Sequence, residues 1–200
     1  MRVERPACAV ARVAPATLML VLLLCAGHAH AQPRPERVAA CESCHGPAGN
    51  AQIAQFPSLA GQPKVFIENQ LVMMREGLRD VPAMKEVMAG ISDAEIVALA
   101  SHYASMPSVP TSGSADPQKH RAGEQTARKM LCGTCHLPDY AGQNQVPRLA
   151  GQNEEYLVQS MKQFRDSPGP GRDTIMAAAL HGLSDADLAN VAHYLARFKR

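Results

Sequence analysis

Two pentapeptides place two thiols and an imidazole at identical spacing: Cys41-Glu42-Ser43-Cys44-His45 and Cys132-Gly133-Thr134-Cys135-His136. Thiols at this spacing form thioether links to haem vinyl groups, and the adjoining histidine lies beneath the iron. The pattern Cys-x-x-Cys-His is the attachment site of c-type haem. The expectation is two covalently attached haem c groups, on Cys41 and Cys44 and on Cys132 and Cys135. His45 and His136 are then the proximal axial ligands. Disulfides or a zinc site compete for the same four cysteines in an exported chain. A closely spaced pair followed by histidine, present twice, disfavours both.

The opposite axial position needs a further donor among methionine, histidine and lysine. Met84 and Met176 are the pair that is methionine in both halves; Met88 matches Leu180, and Met161 matches Leu71. Both lie in poorly periodic sequence just before a capped helix. The remaining methionines, Met73, Met74, Met88, Met106, Met130 and Met161, read as core filler. A thioether ligand favours a high potential, because it stabilises the reduced iron. Of the histidines, His102 and His193 read as surface or flanking positions and His120 as solvated. His181 stands near Met176 and competes weakly for a role at the second haem. Arg79 and Arg172 precede the two methionines, where they either pair with haem propionates or remain solvated. Pro57 and Pro147 read either as plain loop prolines or as carbonyl acceptors for the ligand histidines, whose second ring nitrogen usually needs a partner.

The elements that position these residues repeat. Pro57-Ser58-Leu59-Ala60-Gly61-Gln62 recurs as Pro147-Arg148-Leu149-Ala150-Gly151-Gln152, and Gly90-Ile91-Ser92-Asp93-Ala94-Glu95 as Gly182-Leu183-Ser184-Asp185-Ala186-Asp187. The offset is 91 at the cysteines, 90 at the proline segment and 92 at the last segment. Similarity in the same order along each half means two copies of one domain. Ile67, Leu71 and Met74, matched by Leu157, Met161 and Phe164, make a helical stripe. Ile96, Leu99, Tyr103 and Met106, matched by Leu188, Val191, Leu195 and Phe198, make another. The register of that second pair sets His102 against Tyr194 and Ser101 against His193. Ser92 with Glu95 and Ser184 with Asp187 resemble capping boxes. No strand alternation is evident, so the fold class is all-α.

Residues 1–31 read as a signal peptide, with Arg2, Arg5 and Arg12 before an apolar run and cleavage after Ala31. The apolar run is too short for a comfortable membrane span. Domain 1 is then 32–107, the linker 108–117 and domain 2 118–200. The linker is rich in Pro, Ser and Gly, and Asp116-Pro117 reads as a helix start. The two basic charges in excess over the whole chain belong largely to the leader, so nothing points to nucleic acid. The charge of the halves differs: 32–107 carries 6 basic and 8 acidic residues, 118–200 carries 11 and 8.

Taken together, these motifs resemble the dihaem cytochrome c4 family, built from two class I cytochrome c domains in tandem. The resemblance implies axial pairs His45/Met84 and His136/Met176, with the Pro57 and Pro147 carbonyls accepting from the histidine rings. It also implies a pseudo-twofold arrangement and a periplasmic electron carrier, soluble or loosely membrane-associated, passing electrons towards a haem–copper oxidase. It departs from the family in a very short helix before Cys41, a Pro/Gly insertion before Met176, and His102 where tyrosine is usual.

The leading expectation is a non-enzymatic carrier of single electrons between redox proteins such as a bc-type complex, a dehydrogenase and a terminal oxidase. The rival is a dihaem subunit of a periplasmic dehydrogenase complex of the sulfide or alcohol type. A third reading, a peroxidase-like haem enzyme, requires an open sixth position.

Overall fold

The computed structural model describes residues 35–110, 113–167 and 169–199; the leader and its cleavage point lie outside the described residues. The described residues are helical, with a single isolated bridge between Gln143 and Val146 in place of a sheet. The first half contains α1 (Val38–His45), α2 (Lys64–Arg75), α3 (Lys85–Met88) and α4 (Asp93–Ser105). The second contains α5 (Pro117–Lys129), α6 (Cys132–His136), α7 (Glu154–Asp166), α8 (Thr174–Leu180) and α9 (Asp185–Ala196).

Both apolar stripes face inward. Ile67, Met88, Ile91, Ile96, Leu99 and Tyr103 are buried in one core, with Leu71, Met74 and Met106 against it. Leu157, Met161, Leu180, Leu188, Val191 and Leu195 are buried in the other, with Phe164 and Phe198 against it. The final helices begin as the sequence predicts. Ser92 and Glu95 exchange hydrogen bonds at the start of α4, and Ser184 and Asp187 do so at the start of α9. Each box satisfies donors that a helix start leaves open. The Ser92 backbone N–H, then Arg37, then the Ser92 hydroxyl hold the Glu95 carboxyl down at about 2. The Ser184 hydroxyl and backbone N–H lower Asp187 likewise.

The halves enter their haem motifs differently. In the second, α5 is capped by Asp116, whose Oδ1 accepts from the N–H groups of Gln118 and Lys119 at 2.8 and 3.1 Å. It then crosses α9 closely at Gly123. A Cβ there would lie 2.0 Å from the Asn190 carbonyl oxygen, so only glycine lets the helices touch. In the first, the short α1 holds the motif itself. Arg37 fastens its start, bonding Glu95 at 2.7 Å and the carbonyls of Val87 and Ala89 at 3.0 and 3.3 Å. The linker is exposed at Val109 and Pro110 yet tied down. Asn50 bonds the Pro107 carbonyl and the Val109 N–H, and Arg197 donates to Ser114.

Candidate functional site

His45 is the last residue of α1 and His136 the last of α6. Both rings are buried, at 7% and 4% exposure. His45 Nδ1 lies 2.8 Å from the Pro57 carbonyl oxygen, and His136 Nδ1 lies 2.9 Å from that of Pro147. A carbonyl only accepts, so in each ring Nδ1 carries the hydrogen and donates it. That tautomer leaves a lone pair on Nε2, the atom then available to a metal. Burial lowers both histidine pKa values, outweighing the carbonyl bonds that raise them, which favours the neutral rings. Of the two readings of the prolines, the acceptor role matches this geometry.

The proline segments are held by a backbone pattern common to both repeats. The N–H groups of Leu59 and Ala60 both donate to the Gly49 carbonyl, at 2.7 and 3.0 Å; those of Leu149 and Ala150 donate to Tyr140, at 2.9 and 3.1 Å. Gly49 and Tyr140 are equivalent, and both have positive φ, 73° and 54°. Glycine is at ease there and tyrosine is not. The exchange is explained by volume. A Cβ on Gly49 would meet the Tyr103 ring at 2.6 Å, so an aromatic from α4 fills this space in the first repeat. The position equivalent to Tyr103 is Leu195, and Tyr140 supplies the aromatic from the loop instead. The equivalence is fixed by two matching bonds, Gly61 N–H to the Tyr103 carbonyl and Gly151 N–H to Leu195, both 2.9 Å. The same register pairs His102 with Tyr194, as the sequence predicts.

Met84 ends a 3₁₀ turn, Pro82–Met84, and packs against the first core together with Cys41. Met176 lies in the first turn of α8, its N–H bonded to Asp173 Oδ1 at 3.1 Å, and packs against the second core together with Cys132. Each repeat thus brings a motif thiol and its methionine to one apolar core. All four motif cysteines are free; Cys44 and Cys135 are exposed, while burial pushes the Cys41 and Cys132 thiols up. Free thiols, neutral imidazoles with Nε2 available and a thioether on the same core fit haem c.

Two histidine readings need correction. His193 is not at the surface: it is 5% exposed, its Nε2 accepts the Asp116 N–H at 2.9 Å, and its Nδ1 lies 3.2 Å from Glu154. It pins the linker to α7. His120 is not solvated, because its ring meets Tyr194 edge-on at 5.0 Å and its Nδ1 is buried. His102 packs edge-on against Tyr103 at 5.0 Å, with Nε2 buried. His181 is exposed. Arg79 and Arg172 each bond a glutamine nine residues earlier, Gln70 and Gln163. Burial and then the charge of Arg79 lower the Arg172 pKa, and the backbone at Gly171 lies against Leu78 and Arg79.

Sequence reasoning missed the residues that join the repeats. Gln62 Nε2 donates to the Arg148 carbonyl at 3.0 Å while its Oε1 accepts the Arg148 N–H at 2.9 Å. Reciprocally, Gln152 Nε2 donates to the Ser58 carbonyl at 2.9 Å and its Oε1 accepts the Ser58 N–H at 2.7 Å. Arg148, 4% exposed, donates to the carbonyls of Ala60 and Ala150, themselves equivalent positions. Asn153 Nδ2 reaches the carbonyls of Ala51, Ile53 and Phe56. The one available signal was recurrence of glutamine at the end of both proline segments.

A family model described as cytochrome c matches residues 121–199, and one described as cytochrome c oxidase, cbb3-type, subunit III matches residues 30–102. The chain is 32% identical to cytochrome c4 of Azotobacter vinelandii over 80% of its length and 84% of that protein's. It is 30% identical to a thiosulfate dehydrogenase electron acceptor of Thiomonas intermedia (strain K12), over 81% and 80%. In structure it is similar to reduced recombinant cytochrome c4 from Pseudomonas stutzeri, with a TM-score of 0.75, 28% identity, and coverage of 82% of this chain and 95% of that one.

Proposed function

From the premise that the chain belongs to the cytochrome c4 family of dihaem electron-transfer proteins, we propose that it is an exported carrier of single electrons between periplasmic partners. Two haem c groups are its cofactors, joined through Cys41 and Cys44 and through Cys132 and Cys135, and each supplies a one-electron change between Fe(II) and Fe(III). The remaining roles fall to the chain itself. His45 and His136 would hold the irons through Nε2, oriented by the Pro57 and Pro147 carbonyls. Met84 and Met176 would supply a thioether sulfur to each iron. The helical cores that carry the motif thiols and methionines would shield the buried part of each group from water and so limit solvent rearrangement when an electron arrives. The observation that carries the reading is the duplicated pair of buried imidazoles, each with Nδ1 committed to a proline carbonyl.

Export to the periplasm accords with the leader-like residues 1–31. No helix among the described residues is long and apolar enough to cross a membrane. On the partner, two readings remain. Delivery towards a haem–copper oxidase is supported by the likeness to cytochrome c4 carriers. Acceptance of electrons from a dehydrogenase is favoured by the relative named as a thiosulfate dehydrogenase electron acceptor. That relative points to thiosulfate chemistry rather than the sulfide or alcohol type expected from sequence.

Intact mass, redox titration and rapid mixing test the proposal together. Two haem adducts, near-infrared sulfur-to-iron charge transfer in the ferric form, and rapid reduction by a thiosulfate dehydrogenase or oxidation by oxidase-containing membranes are expected. A single adduct, or fast cyanide binding to a ferric haem, overturns the ligand assignment. Loss of the near-infrared band for one haem in Met84→Ala, with the other unchanged, is the matching residue-level outcome.

A further inference from the structure

The peptide unit between Pro57 and Ser58 is engaged at both ends. Its carbonyl oxygen accepts from His45 Nδ1 at 2.8 Å, and its N–H donates to Gln152 Oε1 at 2.7 Å. The unit between Pro147 and Arg148 is engaged in the same way, by His136 Nδ1 at 2.9 Å and Gln62 Oε1 at 2.9 Å. In both cases the glutamine belongs to the other repeat. Both glutamines are buried, Gln62 at 4% and Gln152 at 2% exposure, and each is held by a second bond to the carbonyl of the residue it grips. Gln152 Oε1 also accepts the Asn153 N–H at 2.9 Å, which fixes the amide's orientation.

Hydrogen bonds in series polarise one another. Withdrawing electron density from a peptide N–H, or supplying it from an acceptor there, changes how strongly the carbonyl of the same unit accepts. An oxygen accepting the Ser58 N–H pushes density towards the Pro57 carbonyl. The stronger carbonyl pulls harder on the His45 Nδ1 hydrogen, and the ring becomes a more basic ligand. A more basic ligand favours the ferric state, so the reduction potential falls.

We propose that Gln62 and Gln152 are crossed positioning residues for electron transfer. Gln152 sets the ligand strength of His45 in the first repeat, and Gln62 sets that of His136 in the second. Each redox centre is tuned by a residue carried on the other repeat. No proton needs to leave when an iron takes up its electron; the hydrogen on Nδ1 only shifts in how strongly it is held. The proposal rests on the reading of His45 and His136 as haem ligands.

The test uses the full holoprotein with Gln152→Met and Gln62→Met, which keep side-chain length and remove the amide, and Gln152→Glu, which restores an oxygen to the Ser58 N–H in either protonation state. Two measurements are made on each: the midpoint potentials of both haems by spectroelectrochemistry with NMR-assigned haem resonances, and the histidine Nδ1 shifts of the ferrous, 15N-histidine-labelled protein. Gln152→Met is expected to raise the potential of the first haem and move the His45 Nδ1 shift, with His136 unmoved. Gln62→Met is expected to do the converse. Gln152→Glu is expected to return the first haem to the wild-type potential or below. Changes confined to the variant's own repeat, equal changes at both haems, or no rescue by Gln152→Glu overturn the proposal. A wild-type protein whose His45 and His136 nitrogens lack iron-ligation shifts instead overturns the underlying haem reading, so the two failures are told apart.

Discussion

At the residue scale, the site depends on groups that never approach iron. Glu95 illustrates this: its carboxyl closes the α4 cap and holds Arg37, which anchors α1 and its haem motif. Its pKa of about 2 lies below the ordinary glutamate value of about 4.3. A depressed carboxylate stabilises the fold fully above its unfolded pKa, and that stability is lost as pH falls through the folded value. The Asp187 carboxyl at α9 acts in the same direction. Unfolding midpoints in denaturant are therefore expected to fall between about pH 5 and pH 2, and Glu95→Gln to flatten part of that slope. An unchanged slope in the variant would show that other carboxylates carry the acid sensitivity. Arg148 depends instead on the shape of its guanidinium, whose fork reaches the carbonyls of Ala60 and Ala150 together. Arg148→Lys keeps the charge and loses the fork. Leaving a buried carbonyl unbonded costs about 1–3 kcal/mol, and a drop of that size is expected in denaturant titration.

At the element scale, Gly123 marks the closest crossing in the second repeat, where a methyl group would collide with the backbone of α9. Gly123→Ala is expected to destabilise by about 1–3 kcal/mol through overpacking, read as a lower thermal midpoint with the haem spectrum retained below it. Most of this architecture was legible in the sequence because its signals are local. Stripes such as Ile96, Leu99 and Tyr103 repeat at helical spacing, and a serine three residues before an acid announces α4 and α9. The haem motifs are contiguous, so two of the three groups at each site could be read directly. What escaped was non-local. His193 reads as a flanking histidine until the fold delivers Asp116 to one nitrogen and Glu154 to the other, from 77 and 39 positions away. Tyr140 gives no sign in its own segment that it replaces the aromatic that α4 contributes in the first repeat. The joining glutamines likewise pair across 94 and 86 positions, beyond the reach of any periodicity.

On the scale of the whole molecule, the repeats share buried hydrogen bonds through Gln62, Arg148, Gln152 and Asn153. Opening one repeat strands polar groups of the other, which couples their stabilities. Both haem bands are expected to report one denaturation transition at one midpoint, and Gly123→Ala, although confined to the second repeat, to shift both bands together. Two separate midpoints would show that the repeats unfold independently. The charge difference adds a second whole-molecule property, because residues 32–107 are net acidic and 118–200 net basic. Opposite ends then steer partners of opposite charge. Electron-transfer rates with an acidic and with a basic redox partner are expected to respond unequally to added salt, haem propionates adding negative charge to both halves. Equal slopes would show that the dipole plays no part in docking.

Arg148 also makes the two repeats unequal where they meet. Its counterpart across the duplication is Ser58, and one guanidinium already spans both alanine carbonyls. A second arginine at position 58 would bring a like charge to a space already filled. The duplicated segments therefore meet as an asymmetric pair, with one basic side chain serving the backbone of both.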